Sequence, residues 1–162
     1  MDIDQQALSL ASTNLGISTV WLDLNREQLP FDDGSFDVIV AGEILEHLVD
    51  PASVVSEACR VLARSGVFIG SVPNSFHWRA RLAFLVGRYV EDPTHLHLFS
   101  HSEASKLLQG FGSVELVPVG GIGGRRMPVV PAWISRWFVR SLPTVFANDF
   151  LFRAIKWDMG EG

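Results

Sequence analysis

An α/β fold built on a mostly parallel sheet is what this 162-residue chain predicts, on three observations. Helix-periodic segments alternate with short apolar runs from end to end. Two of those runs, over residues 36–41 and 67–72, show little polar alternation, as strands covered on both faces do. The segment between them carries Val54, Val55, Ala58, Val61 and Leu62 at helical spacing, so it reads as a crossover helix between parallel neighbours.

The elements follow in order. Asp4 is placed to cap a helix over residues 5–11, with Gly16 beyond its end. Residues 19–22 read as a short strand, and Leu29-Pro30-Phe31-Asp32-Asp33-Gly34 is turn chemistry. After the run at 36–41 comes a short helix over 43–48. Asp50 caps the crossover helix and Pro51 takes its first position. Gly66 follows that helix, and Pro73 stops the run at 67–72. Residues 77–86 predict a helix. Ser100 and Glu103 make a capping box ahead of Leu107 and Leu108. Residues 114–119 alternate like a strand, 120–124 form a glycine-rich joint, 127–147 are apolar and punctuated by proline, and 150–156 read as the closing strand. The strand at 36–41 should lie parallel to that at 67–72. Its other edge should be filled or covered, by residues 19–22 or by another chain, because a bare apolar edge invites aggregation.

Composition narrows the function. Hydrophobic residues make up 48% and charged residues 19%, with a net charge of −5. No basic run exceeds Arg125-Arg126, which argues against nucleic acid as a partner. Cys59 is the single cysteine and reads as a core residue, so neither a disulfide framework nor a thiolate metal cluster is expected. The start of the chain is acidic without an apolar signal core, and no apolar stretch reaches about 18 residues, so a cytoplasmic location is expected.

Four landmarks carry a family resemblance. They are Asp2-Ile3-Asp4 before Ala7-Leu8; Asp23-Leu24-Asn25 before Leu29-Pro30-Phe31; Gly34-Ser35-Phe36-Asp37-Val38-Ile39 running into Gly42-Glu43-Ile44-Leu45-Glu46-His47; and Arg60-Val61-Leu62, then Gly66, then Ser71-Val72-Pro73-Asn74. In that order they resemble class I S-adenosylmethionine-dependent methyltransferases of the small-molecule type (methyltransferase-11/23-like), from the end of the second strand onward. Asp92-Pro93-Thr94-His95-Leu96-His97-Leu98-Phe99-Ser100 resembles the stretch before their last large helix. The resemblance implies a Rossmann-like sheet lacking its first strand and glycine-rich loop, hence an N-terminally truncated single domain. Residues 1–120 are its core, 121–147 a cap or lid, and 148–157 the closing strand.

The resemblance also implies roles. Asp2 would accept the ribose hydroxyls of S-adenosylmethionine, with Ile3 against the adenine. Asp23 would take the adenine amino group and Leu24 would pack on the ring. Ala41, Gly42 and Glu43 would approach the methionine part. Helix caps for Asp2 and Asp4, and a turn role for Asp23, are the plainer readings of the same residues. The activity implied is methyl transfer to a small-molecule or lipid-like acceptor. A truncated, non-catalytic homologue serving as an interaction module is the alternative, since the absent glycine-rich loop makes cofactor binding by this chain alone doubtful.

Two further features stand out. Glu43, Glu46 and His47 sit at i, i+3 and i+4, with His95 and His97 later. Glu43, Glu46, His47 and His95 could hold a divalent ion, or they could hold a loop through hydrogen bonds; the same letters occur in metal-binding and metal-free relatives alike. His47 and His95 are also candidates for a general base near the acceptor. Finally, Trp133, Ile134, Trp137, Phe138 and Leu142, with Arg136 and Arg140, make an amphipathic stretch, either a lid on the sheet or a contact with a membrane surface through residues 127–147.

Overall fold

The structure is a computed structural model that describes residues 1–88, 92–120 and 131–157. The chain forms two compact units, Met1–Pro30 and Phe31–Gly162.

The first unit is one helix between two short extended stretches. Asp4 Oδ1 accepts the backbone N–H groups of Gln6 and Ala7 at 2.8 and 3.2 Å, which caps α1 (Gln5–Leu15). Gly16, at φ 64°, supplies the left-handed residue that ends it, so the helix runs a turn further than the periodicity predicts. The chain then returns to form a parallel bridge between Asp2 and Trp21. Asp2 N donates to Val20 O and Leu22 N to Asp2 O. The strand expected over 19–22 is reduced to this bridge, because the extended stretch beside it amounts to Asp2 and its immediate neighbours.

The second unit carries a four-stranded sheet in the order β1-β2-β4-β3, where β1 is Phe36–Gly42, β2 Leu62–Pro73, β3 Ser113–Val119 and β4 Asp149–Ile155. As expected, β1 and β2 are parallel, with Val38 opposite Val67 and Ala41 opposite Gly70. They are joined through α2 (Pro51–Val61), capped by Asp50 Oδ1 on Ser53 N at 3.1 Å. The helix passes into β2 at Leu62 without a loop, so the strand starts earlier than residue 67. The surplus residues form an irregularity that includes Ser65 at φ 58°. The sheet is not mostly parallel: β4 runs antiparallel to both β2 and β3.

Side chains sort to two faces. Phe68 and Val72 of β2 and Phe150, Phe152 and Ala154 of β4 are buried on one. The Phe68 ring stacks on Phe111 at 5.8 Å and meets Phe152 edge-on at 5.0 Å. α2 packs on β2 and on α4 (His101–Leu107), whose capping box forms as predicted, with Ser100 N donating to Glu103 Oε2 at 2.9 Å. Gly70 lies where any side chain would collide with the Ala41 carbonyl and the Phe152 ring. On the other face Val38, Val40, Ile69, Leu151 and Val117 are exposed, and Val40 keeps 70% of its surface. The sheet ends at β1. A filled or covered edge, expected from the apolar sequence of β1, is therefore not what the described residues form; residues 19–22 pair with Asp2 instead.

Three short helices complete this unit. α3 (Trp78–Leu85) is capped by His77, whose Nδ1 accepts Ala80 N at 2.9 Å. α5 (Ala132–Ser141) packs on β3 and on α6 (Pro143–Phe146). Asn74, buried at the end of β2, donates from Nδ2 to the carbonyls of Thr144 and Ala147, which ties the segment after α5 to the sheet. The glycine-rich joint expected at 120–124 lies, apart from Gly120, outside the described residues, as do residues 127–130 of the apolar stretch.

Candidate functional site

β1 ends where ligands bind in open α/β sheets, beyond the C-terminal ends of parallel strands. Ala41 and Gly42 finish the strand and Glu43 follows at φ 51°. A non-glycine residue in that left-handed region stores strain and persists only where its surroundings fix it. Ser71 of β2 does so: its backbone oxygen and its Oγ both accept Glu43 N, at 3.3 and 3.2 Å. Asp149, at the start of β4, completes this end of the sheet. Burial raises its carboxyl above the usual carboxylate range, the Glu43 charge raises it further, and His77 opposes the shift. Ser71 was legible as the end of a strand but not as Glu43's partner, which depends on register. Nothing in the sequence singles out Asp149.

Past Glu43 the short helix predicted over 43–48 takes the form of a 3₁₀ turn at Leu45–His47. Glu46 is completely buried, and its backbone oxygen accepts the N–H groups of Leu96 and His97 at 2.8 and 3.1 Å. These bonds bring the 92–97 loop against the turn. Neither side-chain oxygen of Glu46 has a hydrogen-bond partner among the described residues. Burial is the main reason its carboxyl is pushed up. His47 Nδ1 lies 3.2 Å from both Thr94 O and Thr94 Oγ1, and the Thr94 hydroxyl donates to Asp92 Oδ1 at 2.7 Å. The Thr94 hydroxyl and the Thr94 backbone N–H, which donates to the same oxygen at 2.9 Å, hold the Asp92 carboxyl below the usual carboxylate range. The His47 and His95 rings meet edge-on with centroids 4.8 Å apart. Of the four candidate metal ligands, Glu46, His47 and His95 converge, with one ligand atom from each within 4.8 Å of the others. Glu43 stands outside that group, and His97 turns its Nε2 to the Val49 carbonyl at 3.3 Å.

The remaining candidates belong to the first unit. Asp2 and Ile3 are exposed; Asp2 Oδ1 accepts Asp4 N at 2.9 Å, and the Trp21 indole donates to Ile3 O at 2.9 Å. Asp23 acts as a turn residue, with Oδ1 accepting Asn25 N at 3.0 Å and Oδ2 facing Arg26 Nε at 3.2 Å. Leu24 beside it is half-buried.

In α5, Val139 is buried while Trp133, Arg136, Trp137 and Arg140 are all exposed, the two indoles keeping 68% and 61% of their surface. The helix thus packs on the sheet by one side and presents aromatic and cationic groups on the other. No helix among the described residues is long and apolar enough to cross a membrane.

Comparison with known proteins agrees with this architecture. A family model described as a methyltransferase domain matches residues 1–70. The chain is 39% identical over 89 residues to a probable S-adenosylmethionine-dependent methyltransferase of Mycolicibacterium smegmatis, covering 54% of this chain and 32% of that one. It is 32% identical over 136 residues to a ubiquinone biosynthesis O-methyltransferase of Methylococcus capsulatus, covering 76% of this chain and 56% of that one. The chain thus spans about a third of the length of the first relative and little more than half of the second. Among solved structures, an S-adenosylmethionine-dependent methyltransferase of Thermotoga maritima superposes with a TM-score of 0.68 at 16% identity, over 94% of this chain and 70% of that one.

Proposed function

Because the chain belongs to the class I S-adenosylmethionine-dependent methyltransferase family, we propose that the protein it forms part of transfers a methyl group from S-adenosylmethionine to a small-molecule or lipid-like acceptor. The observation that carries this reading is the end of β1, where small residues lead into a strained Glu43 pinned by Ser71. Bound there, the cofactor would supply an electrophilic sulfonium methyl, and the protein's share is mostly positioning.

The residues present fit such a group. Gly42 lets a ligand approach the β1 backbone closely, and the Ser71 hydroxyl, 3.8 Å away, is the atom of the described residues that lies near where a side chain would project. The Glu43 carboxylate suits the ammonium of the methionine part. In the first unit the Asp2 carboxylate is exposed and already oriented by its bond to Asp4 N, which suits a pair of ribose hydroxyls. Ile3 and Leu24 offer apolar contacts for adenine. Asp23 would take the adenine amino group only by loosening its hold on Arg26. A lipid-like acceptor is supported by α5, whose exposed indoles and guanidiniums suit a membrane interface.

Calorimetric titration with S-adenosylhomocysteine tests the reading. A version extended upstream by a strand and a glycine-rich loop should bind, the 162-residue chain weakly or not at all, and Asp2→Ala in the extended version should weaken binding by about 1–3 kcal/mol. Equal affinity of the extended protein and its Asp2→Ala variant would remove Asp2 from the ribose role. A second reading, an interaction module, is favoured by the open edge of β1; an extended protein that fails to bind the cofactor would support it.

A further inference from the structure

We propose that Ser71 and Asp149 hold the hydroxyl group of the methyl acceptor between them, Ser71 donating to its oxygen and Asp149 accepting its hydrogen. That this hydroxyl is the group methylated rests on the methyl-transfer reading; the site itself follows from strand register. β2 and β4 run antiparallel, with Ser71 opposite Leu151 and Pro73 opposite Asp149. Side chains alternate between the two faces along both strands. Val72, Phe150 and Phe152 are buried, while Ser71, Pro73, Leu151 and Asp149 lie on the open side. These four form a square, with the polar pair on one diagonal and the apolar pair on the other. Diagonal neighbours in such a ladder stand about 7–8 Å apart, too far for a direct hydrogen bond but close enough for both to reach one oxygen between them.

Each member of the polar pair has the group this needs. Ser71 Oγ accepts Glu43 N at 3.2 Å, which fixes the hydroxyl and leaves its single hydrogen to donate. Among the described residues that hydrogen meets no acceptor, and the Asp149 carboxyl meets no hydrogen-bond donor. Asp149 is half-buried, and burial and the Glu43 charge both strengthen its hold on a proton. The imidazole whose charge Asp149 senses is not a competing base. His77 Nδ1 is committed to Ala80 N at 2.9 Å, so neutral His77 carries its ring hydrogen on Nε2. On its other side Ser71 faces Gly42, which puts no side chain beside the hydroxyl. A group held by Ser71 therefore stands next to the strand end assigned to the methionine part of the cofactor.

This arrangement selects the acceptor chemistry. A hydroxyl oxygen has two lone pairs, one for the Ser71 hydrogen and one to attack the methyl carbon. The O–CH3 bond forms as the S–CH3 bond breaks, the electron pair of the broken bond stays on sulfur, and the hydroxyl proton passes to the Asp149 carboxylate. A neutral amine has one lone pair, and accepting from Ser71 would leave none to attack. Leu151 and Pro73, on the other diagonal, suit an apolar carbon frame behind the hydroxyl.

The test is an NMR titration of the 162-residue chain with phenol, which presents a hydroxyl on an apolar ring, and with anisole, which keeps ring and oxygen but lacks the hydrogen. Phenol should shift the amide signals of Ser71, Leu151 and Asp149 and bind about fivefold more tightly than anisole, the worth of one hydrogen bond. Ser71→Ala and Asp149→Ala should each abolish that preference with circular dichroism unchanged, and Ser71→Thr, which keeps the hydroxyl, should retain it. Glu115→Gln, on the same face but beyond Leu151, should leave it unaltered. No shift at Ser71 and Asp149, equal binding of the two probes, or a preference that survives both alanine variants would overturn the proposal. None of these readings needs the cofactor. Failure of the extended protein to bind S-adenosylhomocysteine, with the phenol preference intact, would thus overturn the methyl-transfer reading and leave the hydroxyl site standing.

Discussion

The two faces of the sheet differ in how far they are closed, although both carry apolar side chains. On one, Phe68, Val72, Phe150, Phe152 and Ala154 are closed off and the Phe68, Phe111 and Phe152 rings interlock. On the other, Val38, Val40, Ile69, Leu151 and Val117 lie open to solvent, with the cross-strand pair Glu115 and Arg153 among them. A strand that alternates apolar and polar residues is written for one wet face; β1, reading Phe-Asp-Val-Ile-Val-Ala-Gly, is not. Apolar pattern therefore reports how a strand is suited to be covered, while coverage itself depends on what else is folded beside it.

That contrast can be broken by mutation. Phe152→Ala on the closed face should cost about 3–5 kcal/mol in urea denaturation, whereas Leu151→Ala, one residue away on the open face, should cost under roughly 1 kcal/mol. Equal losses would mean that the open face is covered in solution. Gly70→Ala should cost about 1–3 kcal/mol, since the added methyl must displace the Ala41 carbonyl or the Phe152 ring.

Asp149 sharpens the comparison, because it lies on the open-face row yet is half-buried. Its folded-state carboxyl is raised by burial, so the native state holds the proton more tightly than the unfolded chain does. Its contribution to stability is greatest below the unfolded value of about 3.9 and is lost as pH rises through the folded value. Asp149→Asn should therefore melt above the wild type at neutral pH, with the gap closing below about pH 4. The smallest effect belongs to Val40→Thr, which should change stability by under about 0.5 kcal/mol while raising solubility, read as the concentration at which light scattering begins.

Local chemistry was the most legible part of the sequence. Asp4, Asp50 and the Ser100–Glu103 box cap their helices as predicted, because a cap depends only on residues within one turn. The pairing of β1 with β2 was legible because the helix between them is. The place of β4 was not: that it enters between β2 and β3 depends on contacts far along the chain. The candidate site divides in the same way. Glu46, His47 and His95 could be named from their spacing and residue types. The complete burial of Glu46, the left-handed Glu43 and the Thr94 bonds to His47 arise from register and loop path. Asp23 shows the converse, a residue whose turn chemistry was as readable as any ligand role.

The position of β4 has a consequence for synthesis on the ribosome. β3 emerges before β4 but has no neighbour in the sheet until residues 149–155 arrive to bridge it to β2. Until then β1 and β2 form only a two-stranded parallel ribbon, and Phe68 lacks the Phe152 ring against which it packs. A chain arrested before residue 149 should thus expose aromatic surface and recruit chaperones, while release of a few more residues lets the sheet close in one late, cooperative step.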